Sequence, residues 1–144
     1  MIKFPMKFEA EASSKSGIQS VWEAKADSFS PISSSIPAEF GGPGTGYSPE
    51  DLFALAVLNC LIATFKVYAE KSEVIYDQIS TKASLTIDKL PSSPSFEITQ
   101  VDVHFHVTGA KDPAKLRKIL ETSIEQCAVS NSIKSGKTYK IQIS

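Results

Sequence analysis

Cys60 and Cys127 are the two cysteines of a 144-residue chain, sixty-seven positions apart. Each lies in an apolar run whose periodicity predicts a helix, on or near its inward face. If the two helices pack together, the sulfurs can become neighbours, although spacing alone gives no distance. A disulfide requires Cα atoms within about 7 Å. Thiol chemistry also requires a lowered pKa, because the thiolate is the reacting form. A nearby cation, held by an acid, would favour ionisation. The competing reading is two inert buried thiols, since free cysteine packs as a small hydrophobe.

Other chemistries find less support. His104 and His106 share one face of an expected strand, opposite valines, and no CxxC or HxxxH spacing completes a tetrahedral metal set. No metal and no cofactor is expected. The segment GGPGTG (41–46) has neither the following Lys-Ser/Thr nor the preceding apolar strand of a phosphate loop. A serine nucleophile elbow is missing. Fifteen basic and sixteen acidic residues leave a formal charge of −1. Their scatter provides no footprint for nucleic acid.

The elements that must position the cysteines follow from pattern. Strands are expected at 2–12, with Phe4, Met6, Phe8, Ala10 and Ala12 on one face, at 18–26 and at 28–36. A glycine- and proline-rich loop follows and ends at Ser48. Ser48 can cap a helix, Pro49 suits its first position and Asp51 completes a variant capping box. That helix should run to about Ser72, apolar on nearly every side as far as Ala63, and so be buried all round. Residues 74–88 and 95–108 predict two long antiparallel strands, the second with Val101, Val103, Phe105 and Val107 facing inward. Asp112 and Pro113 open a second helix reaching toward Gly136, with Leu116, Ile119, Leu120, Ile124 and Cys127 as its inward stripe. A last strand, 137–144, carries Tyr139, Ile141 and Ile143 on one face.

This order is an α+β pattern in a single domain spanning 1–144. The N-terminus lacks the apolar segment of a signal peptide. The longest greasy run, Leu52 to Ala63, is too short to span a bilayer. A cytoplasmic protein is therefore expected, with no membrane partner. So long an apolar helix is hard for one small domain to surround, and a homodimer is expected to cover part of it.

The stretch AEFGGPGTGYSPEDLFALAVLNCLIATFKVYAE, followed much later by IEQCAVSNSIKSG, resembles the OsmC/Ohr family of hydroperoxide-detoxifying proteins. The likeness runs over nearly the whole chain. It implies antiparallel sheets wrapped around two long central helices in an intertwined homodimer. It also implies reduction of organic hydroperoxides, and in some branches hydrogen peroxide. Carried onto this chain, Cys60 matches the peroxidatic cysteine and Cys127 the resolving one, linked through a sulfenic acid and a disulfide. Glu39 matches the acid that positions a family arginine. The reductant it implies is a thiol, in parts of the family a lipoylated protein. The chain departs from the pattern where that arginine belongs: Lys15 stands there, and the one arginine is Arg117, on the polar side of the second helix. Lysine can act as a point charge but lacks the planar fork of arginine. The departure motivates an alternative, a non-catalytic stress, ligand-binding or redox-sensing protein of the same fold.

Overall fold

The computed structural model describes residues 2–144. It divides into two compact units, one ending at Leu52 and the other spanning Phe53–Ser144.

The N-terminal unit holds a three-stranded antiparallel sheet, β1 (Ala10–Ser13), β2 (Trp22–Ala26) and β3 (Ile32–Ser34), in that spatial order. All three strands are shorter than the sequence pattern predicts. Pairing of β1 begins at Ala10↔Ala26 and ends at Ser13↔Glu23, so residues 2–9 have no strand neighbour among the described residues, and Pro5 lacks an N–H to donate. Phe4 and Phe8 are left 81% and 83% exposed. Gly17, in the left-handed region at φ 103°, turns the chain before β2. The glycine loop folds on itself: Gly44 N–H donates to the Ile36 carbonyl at 3.1 Å. A Cβ at Gly42 would lie 2.1 Å from that oxygen, so only glycine fits.

At the loop's end the capping box forms as read. Ser48 Oγ accepts from Asp51 N–H at 3.0 Å, and Asp51 Oδ2 accepts from Ser48 N–H at 2.9 Å. The helix α1 runs Pro49–Lys71. Its burial is narrower than expected: only Val57, Leu61, Phe65 and Ala69, one i, i+4 stripe, are fully covered. Leu55 and Val67 remain 39% and 51% exposed. The expectation that the greasy run is too short for a bilayer is also corrected. Apolar residues continue through Phe65, Val67 and Tyr68, and α1 is long and apolar enough to cross one by length and composition.

The C-terminal unit sets that stripe in its core. A second sheet, β4 (Gln78–Lys89), β5 (Phe96–Thr108) and β6 (Gly136–Ile143), contributes Val101, Val103, Phe105 and Val107 from β5. Alternation along β5 places Asp102, His104 and His106 on the opposite face, as the period-2 pattern requires. Leu116 and Leu120 of α2 (Pro113–Glu125) and Cys127 complete the fully buried cluster.

Two features of the expected architecture need correction. The second sheet is mixed: β4 and β5 are antiparallel, but β6 lies parallel to β5, from Gln100↔Gly136 to Val107↔Ile143. The reason is the helical crossover between β5 and β6, which carries the chain back so that the next strand starts at the same end. The second helix is also shorter than expected. It stops at Glu125, and a separate turn of helix, α3 (Ala128–Asn131), follows.

Candidate active site

Cys60 projects from α1 beside the buried stripe and is half-buried, so solvent reaches it. One turn further on, Thr64 Oγ1 stands 3.9 Å from its sulfur. Residues i and i+4 share a helix face.

Cys127 is not inside a helix. Its N–H still reaches the Ile124 carbonyl at 3.3 Å, but its own backbone is extended at φ −71° and ψ 110°. Its carbonyl then accepts from Asn131 N–H at 3.0 Å and starts α3. Cys127 is thus the residue that caps α3, and its side chain is fully buried. Asn131 Nδ2 returns to the Glu125 carbonyl at 2.9 Å and braces the break. Lys137 Nζ donates to the carbonyls of Ser130 and Ile133 at 3.0 and 2.9 Å. This places a cation at the carbonyl end of α3, where it is favourable.

Breaking the helix here has a chemical consequence. The first amides of any helix lack intrahelical acceptors, and α3 offers two of them to Cys60. Burial pushes the Cys60 thiol up. Against it act the Val129 N–H, the Cys127 thiol, the Thr64 hydroxyl and the Ala128 N–H, and together they hold its pKa below the ordinary value of 9.0. Cys127 moves the opposite way. Burial raises it above 9.0; the Ser130 hydroxyl and N–H offset part of that, while the hydrogen bond to Cys60 and the charge there add to it. Both cysteines are free thiols. The pair is therefore unequal: these surroundings favour ionisation of Cys60 and disfavour that of Cys127.

Lys15 and Glu39 belong to the N-terminal unit, where both are exposed. Lys15 lies in the turn after β1, its carbonyl accepting from the Ser14 hydroxyl at 2.8 Å. Glu39 sits in a single 3-10 turn, Ala38–Phe40. A different acid carries an unusual environment: Glu50, in the first turn of α1, has a buried Oε2 with no partner among the described residues. Arg117 remains on the polar side of α2, with Nη2 3.4 Å from the Ile141 carbonyl. His106 Nε2 pairs with Ser144 Oγ at 2.9 Å. Among the described residues no cluster of three His, Cys, Asp or Glu side chains is arranged to hold a metal ion.

Sequence reasoning missed Thr64, Val129, Ala128, Ser130 and Lys137. A signal existed for Thr64, one helical turn after Cys60. None existed for the amides, because any residue type supplies one.

An α+β protein whose two distant cysteines meet at a helix break is the class that fold and site define. The family model described as OsmC-like protein matches residues 42–142, and the chain belongs to that family. An uncharacterized protein of Acinetobacter baylyi is 25% identical over 112 residues, covering 77% of this chain and 76% of the relative. An OsmC-like protein of unknown function from Vibrio cholerae superposes with a TM-score of 0.81 at 20% identity, covering 94% and 99% of the two chains. A Legionella pneumophila structure described as an organic hydroperoxide resistance protein, OsmC, gives 0.76 at 23% identity over 99% of both. At these identities the solved structures carry the fold.

Proposed function

We propose that this protein is a thiol-dependent peroxidase that reduces organic hydroperoxides to alcohols. What supports the reading is the unequal sulfur pair, a solvent-reachable Cys60 whose ionisation its neighbours favour, beside a buried Cys127 whose ionisation burial disfavours. The Cys60 thiolate attacks the terminal peroxide oxygen, the O–O bond breaks, and the alkoxide leaves with a proton as alcohol. Cys60 is then a sulfenic acid, the first and reversible rung of cysteine oxidation. Attack by Cys127 forms the Cys60–Cys127 disulfide and releases water. A thiol reductant, of which a lipoylated protein is one candidate, restores both thiols. Cys60 is half-buried and packed against the hydrophobic core, a setting that suits substrates with apolar tails, each buried methylene contributing about 0.8 kcal/mol. Hydrogen peroxide is the poorer substrate on this account.

Lys15 and Glu39 enter this proposal as the electrostatic partner and its orienting acid. Glu50 joins them as a second candidate acid, because an orphaned carboxylate oxygen is costly unless a donor meets it. The active unit is a cytoplasmic homodimer. The uncovered apolar side chains of α1 and of the segment before β1 support a partner subunit, and a reducing compartment suits a cycling disulfide. Consumption of cumene hydroperoxide with a dithiol reductant tests the activity. Wild type should turn over and Cys60→Ser should not; equal consumption by both would remove Cys60 from the chemistry.

A second reading keeps the fold and drops the turnover: a stress, ligand-binding or redox-sensing protein. The exposed position of Lys15, whose carbonyl accepts from the Ser14 hydroxyl, favours it. It predicts Cys60 as unreactive toward iodoacetamide at neutral pH as an ordinary thiol.

A further inference from the structure

Ser130 is 2% exposed and its Oγ has no hydrogen-bond partner among the described residues. A buried hydroxyl without a partner is destabilising and calls for an explanation. Its position supplies one. Cys127 caps α3 and Ser130 is the third residue of that helix, the two positions that a capping box brings within reach of each other, each side chain against the other's backbone N–H. The Ser130 hydroxyl stands close enough to the Cys127 sulfur to act on it, yet without an aligned hydrogen bond in the reduced protein. A neutral thiol is a weak acceptor, and a thiolate is a strong one.

We propose that Ser130 is the hydrogen-bond donor for the resolving step, turning its hydroxyl onto Cys127 when that sulfur becomes a thiolate. This rests on the peroxidase reading above. The step balances as follows. Cys127 loses its proton, and its sulfur attacks the sulfenic sulfur of Cys60. The S–S bond forms, the S–O bond breaks, and hydroxide leaves and takes the proton to become water. Cys127 is oxidised and the sulfenic sulfur reduced; the hydroperoxide is the only oxidant. Ser130 lowers the cost of the buried thiolate that must exist before attack. It does the same for Cys127 as the leaving sulfur when a reductant opens the disulfide at Cys60.

The groups around the step are few. Among the described residues, Cys60 of α1 is the titratable group that acts on Cys127. Lys137 of β6 is bound to the carbonyls of Ser130 and Ile133, at the opposite end of α3 from the sulfur. With Cys60 already converted to a neutral sulfenic acid, its repulsion of the Cys127 thiolate is gone, and the hydroxyl becomes the side-chain donor that remains.

The two oxidation steps separate the proposal from the reading beneath it. Reduced full-length protein is mixed with cumene hydroperoxide and quenched at intervals. Sulfenic acid at Cys60 is read as a dimedone adduct in the Cys127→Ser background, and disulfide by mass in chains retaining both cysteines. In Ser130→Ala, sulfenylation should keep its wild-type rate while disulfide formation slows about tenfold and its pH profile moves upward. Ser130→Thr should recover most of the rate. Equal disulfide rates and pH profiles in wild type and Ser130→Ala would overturn the proposal, as would slowing both steps alike. A Cys60 that never forms the adduct would instead overturn the peroxidase reading. Ser130→Ala should keep or raise the urea midpoint of wild type, since it removes a buried hydroxyl with no partner among the described residues to lose; a clear fall in midpoint would mark the residue as structural and count against the proposal.

Discussion

Replacing Cys127 by serine or by alanine leaves one thiol in each variant, so labelling reports Cys60 alone. The two substitutions differ in one respect that the site makes decisive. Serine keeps a donor beside the Cys60 sulfur and alanine removes it. A hydrogen bond to a charged group contributes about 1.5–3 kcal/mol, but Cys60 is half-buried and water recovers part of the loss. Discounting for that leaves about 1 kcal/mol, or about fivefold in the thiolate population at a pH well below the titration midpoint. A more basic thiolate is also a better nucleophile, with a Brønsted coefficient of about 0.4–0.5, so the observed iodoacetamide rate should fall by only about two- to threefold. The pH profile is therefore the sharper readout. Cys127→Ala should titrate at visibly higher pH than Cys127→Ser, which should stay at or below wild type. Superimposable profiles for the two variants, with circular dichroism unchanged, would refute the claim that Cys127 donates to Cys60.

Further outcomes follow from the same geometry. In wild type, the thiolate form sets reactivity, so a pKa below 9.0 makes Cys60 label at lower pH than a free cysteine, and Cys127 at higher pH; mass mapping of labelled peptides across a pH series checks the order. Ala128→Pro should fold normally, because Cys127 is already extended and proline suits the first position of a helix. Having lost one amide donor, it should shift Cys60 labelling to higher pH by less than Cys127→Ala does. Leu61→Ala empties a fully buried position next to Cys60 and should cost about 2–5 kcal/mol in urea unfolding. Sedimentation should find twice the chain mass in solution; a clean monomer would leave the exposed side chains of α1 without their proposed cover.

Much of the fold was legible in residue pattern. The start of α1 followed from Ser48, Pro49 and Asp51, whose reciprocal bonds are local. The inward face of β5 followed from strict alternation. What failed was set by partners distant in sequence. Residues 2–9 alternate like a strand, yet a strand exists only where a neighbour pairs with it. The parallel placement of β6 depends on where α2 delivers the chain, a property of crossover geometry. The end of α2 was misread because Leu116, Leu120, Ile124 and Cys127 keep a helical spacing through the break, and no proline or glycine marks it.

The candidate site divides along the same line. The cysteines were legible because thiols are chemically distinctive and rare here. Their microenvironment was not, since it is built from backbone N–H groups of Ala128 and Val129 and from hydroxyls of common residues. Lys15, the cation that stands where the family pattern has arginine, is an exposed residue of the N-terminal unit. The donors that lower the Cys60 pKa are amides, a thiol and a hydroxyl.

The most direct test is to add cumene hydroperoxide to the fully reduced protein and follow free thiols together with intact mass. Both thiols should disappear in step with one equivalent of peroxide, with a mass lower by two hydrogens and no intermolecular product. Thiols that persist in excess hydroperoxide, or a Cys60 that gains oxygen without ever joining Cys127, would contradict it.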